Sequence, residues 1–257
     1  MGEGSKNIYL SDEYVKQHPT LHEKDAPWKI GKIIPMIDIL MKSYDSDDLV
    51  VLDVGGGGGT IMSSICNYID KQHDRRIHKI LLDLSPQALK IQQECNPDCV
   101  RALNEDIEKT SLTSKEADLT LMIDVLEHLP EPEIALEELR RISRFVIFKV
   151  PLEDCAYKRI ENLVFDNLAW RRSYEVNGHV NFYNEKNLRA QIQEHCGQIV
   201  SYYFTKAGAY ALRKTPIGDK PIAEKIWWLL APIMFLMPAK FYSKLFADYL
   251  IILVDCR

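Results

Sequence analysis

Residues 49–59 of this chain, Leu-Val-Val-Leu-Asp-Val followed by five consecutive glycines, constrain its fold more than any other stretch. Leu49 to Val54 is an apolar run broken only by Asp53. Such a run reads as a strand buried on both faces of a parallel sheet, not as an alternating surface strand. The glycines Gly55 to Gly59 let the backbone take positive φ and approach a ligand closely. The helix expected over 60–71 points its N-terminal N–H groups at the same place. In a doubly wound sheet the end of the first strand is also the ligand crevice. Val51 to Thr60 therefore predicts a nucleotide-type cofactor site.

The rest of the chain repeats the strand–helix alternation. Strands are expected at 79–83, 100–103, 117–124, 144–150 (stopped by Pro151), 198–205 and 249–254. Helices are expected at 27–42, with a kink at Pro35, from Pro86 to about Glu94 behind a Ser85 N-cap, and at 131–142 and 185–195. This pattern predicts an α/β, doubly wound, Rossmann-like sheet with helices on both faces. No Gly/Ser/Pro-rich linker or internal repeat interrupts it, so one domain over 1–257 is expected. Within it, 1–45 reads as an N-terminal helical cap, 46–150 as the cofactor-binding core, 151–247 as substrate-side segments and 248–257 as the final strand.

The glycine register narrows the ligand. A dinucleotide fingerprint counted from Gly55 or Gly56 needs a third glycine or alanine where Thr60 or Ile61 stands, and no Gly-Lys-Ser/Thr follows for a phosphate loop. Composition excludes further classes. A formal net charge of −5 gives no basic face for nucleic acid. The six cysteines form no CxxC pair and no histidine pair completes a zinc pattern, so reduced thiols, no metal and a cytoplasmic setting are expected. The first residues lack the apolar core of a secretory signal, and Lys6 stands where a myristoylation motif needs Ser or Thr.

Asp53-x-Gly55-x-Gly57-x-Gly59 is the Asp/Glu-x-Gly-x-Gly-x-Gly pattern of the class I S-adenosylmethionine-dependent methyltransferases, and the chain resembles that family. The resemblance covers about residues 45–150. It extends more weakly over 178–205, where Gly178-His179-Val180-Asn181-Phe182-Tyr183 is similar to the small-molecule enzymes of ubiquinone and menaquinone biosynthesis. It implies a seven-stranded, mostly parallel sheet whose last strand is inserted antiparallel, and S-adenosylmethionine as cofactor. It implies cofactor contacts from Asp53, Gly55, Gly57 and Gly59. Asp83, with Leu84 beside it, would grip the ribose hydroxyls. Asp106 would receive the adenine amino group while Ile107 packs on the ring, and Asp124 would face the methionine end.

The implied reaction is in-line methyl transfer to an O, N or C nucleophile of a small molecule, a lipophilic one among the options. His128 and His179 are the candidate bases, histidine being the side chain that titrates near neutrality. Trp170, Arg171 and Arg172 are a candidate recognition patch for an acidic or aromatic acceptor, with a solvated surface pair as the commoner outcome for two arginines. Two other readings stay open: a cofactor-binding partner or regulator without catalysis, and an NAD-dependent oxidoreductase.

The segment 207–247 matches nothing in that family. Its apolar stretch Ile226 to Met237 is too short for the ~20 residues a bilayer span needs. A lid or core helix is preferred. A peripheral membrane contact through 222–240, anchored by Trp227 and Trp228 between lysines, and a dimer contact are the alternatives.

Overall fold

The computed structural model describes residue 21, residues 23–214 and residues 222–257, without the side chains of 211–214, 222–227 and 230. The N-terminal motif around Lys6, Lys220 and the side chains of Lys225 and Trp227 therefore lie outside the described residues.

Seven strands form one sheet: β1 (Asp48–Val54), β2 (Arg76–Leu82), β3 (Arg101–Leu103), β4 (Ala117–Ile123), β5 (Ser143–Leu152), β6 (Gln198–Phe204) and β7 (Asp248–Asp255). Their spatial order is β3-β2-β1-β4-β5-β7-β6. β1 to β5 pair in parallel, and β7 enters antiparallel between β5 and β6. The expected doubly wound sheet with an antiparallel last strand is thus present.

Alternation along each strand divides the core in two. On one face Leu49, Val51, Leu81, Leu119, Leu121 and Ile147 pack against α1 (Ala26–Met41), α2 (Thr60–His73) and α3 (Pro86–Cys95). On the other, Leu52, Val54, Leu82, Met122, Phe148 and Ile252 pack against α4 (Pro132–Ile142) and, further along the chain, the helix Glu185–His195. Ser85 caps α3 as expected, its Oγ accepting from Ala88 N at 3.3 Å. α1 is assigned as one continuous helix with Pro35 inside it.

The end of β5 differs from expectation. Pro151 does not stop β5; the strand continues to Leu152, with Pro151 opposite Tyr249 of β7. On the other side, Lys149 carbonyl accepts from Asp124 N at 2.9 Å, and β4 ends there. Two residues on, Pro151 turns its nitrogen to that same side, where no strand follows and no ladder bond is lost.

The substrate-side half is helical: α5 (Ala156–Val164), α6 (Leu168–Arg172), a π-helical turn at Ser173–Asn177 and α7 (Glu185–His195). Between β6 and β7 stand α8 (Ala207–Lys214), α9 (Ile222–Leu236) and α10 (Ala239–Leu245). Among the described residues no helix is long and apolar enough to cross a membrane. The cysteines are free thiols, with Cys196 and Cys256 sulfurs 3.5 Å apart in the core.

Candidate active site

The strand order reverses between β1 and β4, so the loops that follow these strands diverge and leave a crevice at their carboxyl ends. Gly55 and Gly57 form its floor, both left-handed with φ of 63° and 58°. A Cβ on Gly57 would lie 2.9 Å from the carbonyl of Leu21, so a side chain is excluded by both conformation and space. Gly59 sits apart from the crevice. It precedes α2, and its carbonyl accepts from Asn96 Nδ2 at 3.1 Å, which fastens the loop to the end of α3.

The cleft encloses about 760 Å³ of space, part of it open to solvent. Leu84, Ile107, Val125 and Leu129 give it an apolar lining beside Asp83, Glu105, Asp106 and Asp124. No Lys or Arg lines it among the described residues. Carboxylates beside apolar walls suit a ligand that presents hydroxyls, an amino group and a cationic centre. The same lining repels a pyrophosphate, which argues against the dinucleotide reading.

Asp83 is buried and shared. Its carboxylate accepts from Ser85 N at 2.8 Å and from Gln92 Nε2 at 2.6 Å while lining the cleft. Burial outweighs those two donors and lifts its pKa to about 6. Asp106 accepts from Glu108 N at 3.1 Å, an acid-led turn that puts Ile107 against the core. Asp53 lies beneath the glycine loop with Oδ2 unpartnered; burial, then the nearby Asp83 charge, push it to about 7.

Asp124 ends β4 in a left-handed conformation, φ 56°. Burial alone would raise its pKa, but ion pairs with Lys149 and with Lys29 (3.1 Å) hold it near 2. Lys149 is fully buried in β5, its ammonium 3.5 Å above the Tyr249 ring.

A second cavity opens from the first. Gly55, Gly57, Asp124 and His128 line both; beyond them the wall is built by Leu21, Asp25, Lys29, Glu127, Tyr174 to His179 and Tyr249. His128 and His179 meet here. His128 Nδ1 lies 3.2 Å from the carbonyl of Gly178, and His179 Nδ1 lies 2.7 Å from Glu153 Oε2. Glu153 also accepts from Lys158 and from Ser173 Oγ at 2.8 Å. Burial would raise Glu153, but His179 and Lys158 outweigh it and hold the acid near 2.

The Trp170–Arg172 patch points elsewhere. Trp170 stacks on Phe182 at 5.5 Å, Arg171 and Arg172 are exposed, and none of the three lines either cavity. Three participants escaped sequence reasoning. Lys149 carries a signal, being a lysine inside the apolar strand Arg-Phe-Val-Ile-Phe-Lys-Val, which demands a buried partner. Glu153 and Lys29 carry none, because their partners are distant in sequence.

Comparison with known proteins agrees with this geometry. Residues 33–195, well over half of the chain, match the family model described as "Methyltransferase domain".

The chain belongs to the methyltransferase-domain family.

Among solved structures, this methyltransferase-family fold is similar to geranyl diphosphate C-methyltransferase from Streptomyces coelicolor A3(2), in complex with Mg2+, geranyl diphosphate and S-adenosyl-L-homocysteine. The TM-score is 0.60 at 11% identity, over 96% of this chain and 84% of that one. It is also similar to a cyclopropane synthase from Mycobacterium tuberculosis, with TM-score 0.56 and 14% identity over 86% and 83% of the two chains. At such identities the likeness is one of fold. A curated relative, Protein Smg homolog of Shewanella frigidimarina, is 29% identical over 102 residues, 40% of this chain and 57% of that protein. The chain thus spans little more than half of that relative's length.

Proposed function

We propose that this protein transfers the methyl group of S-adenosylmethionine to a small acceptor held in the second cavity. The observation that carries the reading is the wall shared by the two cavities: Gly55, Gly57, Asp124 and His128 border both. A group passing from one ligand to the other crosses at that wall.

The residues fit the cofactor. Asp83 and Leu84 take the ribose side of the first cleft, Asp106 and Ile107 the adenine, and Gly55 and Gly57 the close backbone approach. Asp124, fixed by its two lysines, stands at the methionine end. Bound there, S-adenosylmethionine supplies an already electrophilic methyl. The chain's own task is then alignment of donor and nucleophile, worth up to ~7–11 kcal/mol of the barrier. A base adds ~10²–10⁴-fold only where the nucleophile must lose a proton. His179, oriented by Glu153, has the surroundings for that role.

Calorimetry with S-adenosylhomocysteine, followed by transfer of labelled methyl to a metabolite panel, tests the reading. Binding with turnover is expected. Binding without turnover across the panel favours a regulatory cofactor-binding protein; stabilisation by NAD alone overturns the assignment.

A membrane-proximal, lipophilic acceptor is the finer reading that the surface supports. Leu229, Ile233, Phe235, Leu236 and Phe241 on α9 and α10 face outward, as do Ile160, Leu163, Val164 and Phe165 at α5, and α5 packs against α10. Leu163 and Leu236 are 86% and 85% exposed. An apolar face of this size marks a contact surface. Flotation with anionic liposomes tests it: loss of binding in Leu163→Glu/Leu236→Glu supports the contact, and undiminished binding removes it.

A further inference from the structure

We infer that Glu127, His128 and His179 form a binding site for a divalent transition-metal ion at the boundary of the two cavities. One carboxylate oxygen and one nitrogen from each ring lie within 4.8 Å of one another. Bonds of ~2.0–2.2 Å to one ion require the three atoms to lie closer together than that, so a bound ion would draw them inward.

Two independent observations point to a ligand. The first is Glu127 itself. It is 1% exposed, it lines the second cavity, and neither carboxylate oxygen has a hydrogen-bond partner. Its backbone is firmly held, the carbonyl accepting from Val180 N at 2.9 Å and Asn181 N at 3.0 Å. Without a cation such a buried acid is held neutral, and a bound cation stabilises its ionised form. Of the neighbouring lysines, Lys149 is already paired to Asp124 and Lys158 to Glu153.

The second is the way the histidines are held. Nδ1 of His179 faces the Glu153 carboxylate, and Nδ1 of His128 faces the Gly178 carbonyl. The Glu153 carboxylate is an acceptor, so in the neutral His179 ring Nδ1 carries the hydrogen and Nε2 carries the lone pair. Metal-ligating histidines are oriented in this way, through the nitrogen that does not bind the ion. Lys158 and Ser173 in turn fix Glu153, so the shell behind the ring is complete.

Two imidazoles with one carboxylate suit zinc and its first-row neighbours, not magnesium or calcium, which prefer all-oxygen shells. Three protein ligands leave a position open toward the second cavity. Here the inference rests on the proposed methyl transfer: an acceptor oxygen takes the open position, and the ion, in place of His179 as base, promotes loss of its proton. Its O–H proton leaves to solvent, the oxygen keeps the electron pair, and an O–CH3 bond forms as the S–CH3 bond breaks to leave a neutral thioether.

The test uses tag-free, full-length protein stripped with chelator, then titrated with zinc by calorimetry and with cobalt by visible absorption, without cofactor or acceptor. Stoichiometric binding with a zinc-dependent rise in Tm is expected. Glu127→Gln, a near-isosteric change, is expected to fold with a metal-free Tm close to that of the parent while losing the zinc-dependent rise. Glu153→Gln, which touches no ion, is expected to weaken zinc ~10–100-fold. Absence of binding, or undiminished affinity in Glu127→Gln, overturns the site. Zinc binding without methyl transfer keeps the site and discards the transfer reading. Full methyl transfer by the stripped protein in chelator leaves the transfer reading and overturns the metal's part.

Discussion

The rings of His128 and His179 meet edge to face with centroids 5.0 Å apart, although one follows β4 and the other closes the π-helical turn beyond α6. The fold, not local sequence, makes them neighbours in the wall of the second cavity. His179→Ala is accordingly expected to leave the affinity for S-adenosylhomocysteine within about twofold while lowering turnover ~10²-fold or more. A large loss of cofactor affinity by calorimetry places His179 in the first cleft instead.

Gly57→Val tests the floor of that cleft. The left-handed conformation costs an L-residue roughly 1–2 kcal/mol before any clash is counted, and a Cβ there meets the Leu21 carbonyl at 2.9 Å. Loss of measurable cofactor binding is expected, with the circular dichroism of the fold retained. Unchanged affinity removes Gly57 from the cofactor site.

Asp83→Ala removes an acceptor from the cleft and strands Gln92 Nε2, its partner at 2.6 Å. Hydrogen bonds to a charged group contribute about 1.5–3 kcal/mol each, so cofactor affinity is expected to fall ~10–100-fold per bond lost. Equal binding of adenosine by the variant and the parent rules out the ribose contact.

Asp53 gives a pH signature. Its ordinary pKa of 3.8 is pushed to about 7 in the folded chain. Well below pH 3.8 it is protonated in both folded and unfolded states. As pH rises through the window from 4 to 7 the unfolded chain releases the proton first, so this group costs stability progressively, up to about 4 kcal/mol. Asp53→Asn is expected to match the parent near pH 4 and to exceed it at pH 8 in urea denaturation of the cofactor-free protein. Parallel pH curves for the two contradict the shift.

Lys149→Met leaves the half-buried Asp124 with Lys29 alone. Breaking a buried pair typically costs ~3–5 kcal/mol, and Asp124→Asn in the same chain is expected to recover part of it. Denaturant midpoints of the two single variants and the double variant measure the coupling; strict additivity denies it.

The architecture was legible because it rests on local signals. The glycines after Leu49–Val54, the Ser85 cap and the apolar strands each declare themselves within a few residues. Pro151 misled because a strand's tolerance of proline depends on which side still has a neighbour, which is a property of the sheet. The same limit applies to the site. Asp83, Asp106 and Asp124 are found from strand ends. The pairing of Lys29 and Lys149 on Asp124, the support of His179 by Glu153 and the approach of Glu127 to His179 arise only when distant segments pack. The arginines of Trp170–Arg172 show the converse: a suggestive local cluster that the fold turns toward solvent.

The shared wall has an evolutionary consequence. Most of the groups in the first cleft come from the loops after β1, β2, β3 and β4, whereas much of the far chamber, from Tyr174 to His179, is carried by a single stretch after α6. A descendant that exchanged that stretch would inherit the donor grip unaltered and meet a new chemical target. On the proposed function, selection could therefore rewrite what this scaffold modifies without reopening the question of what it modifies it with.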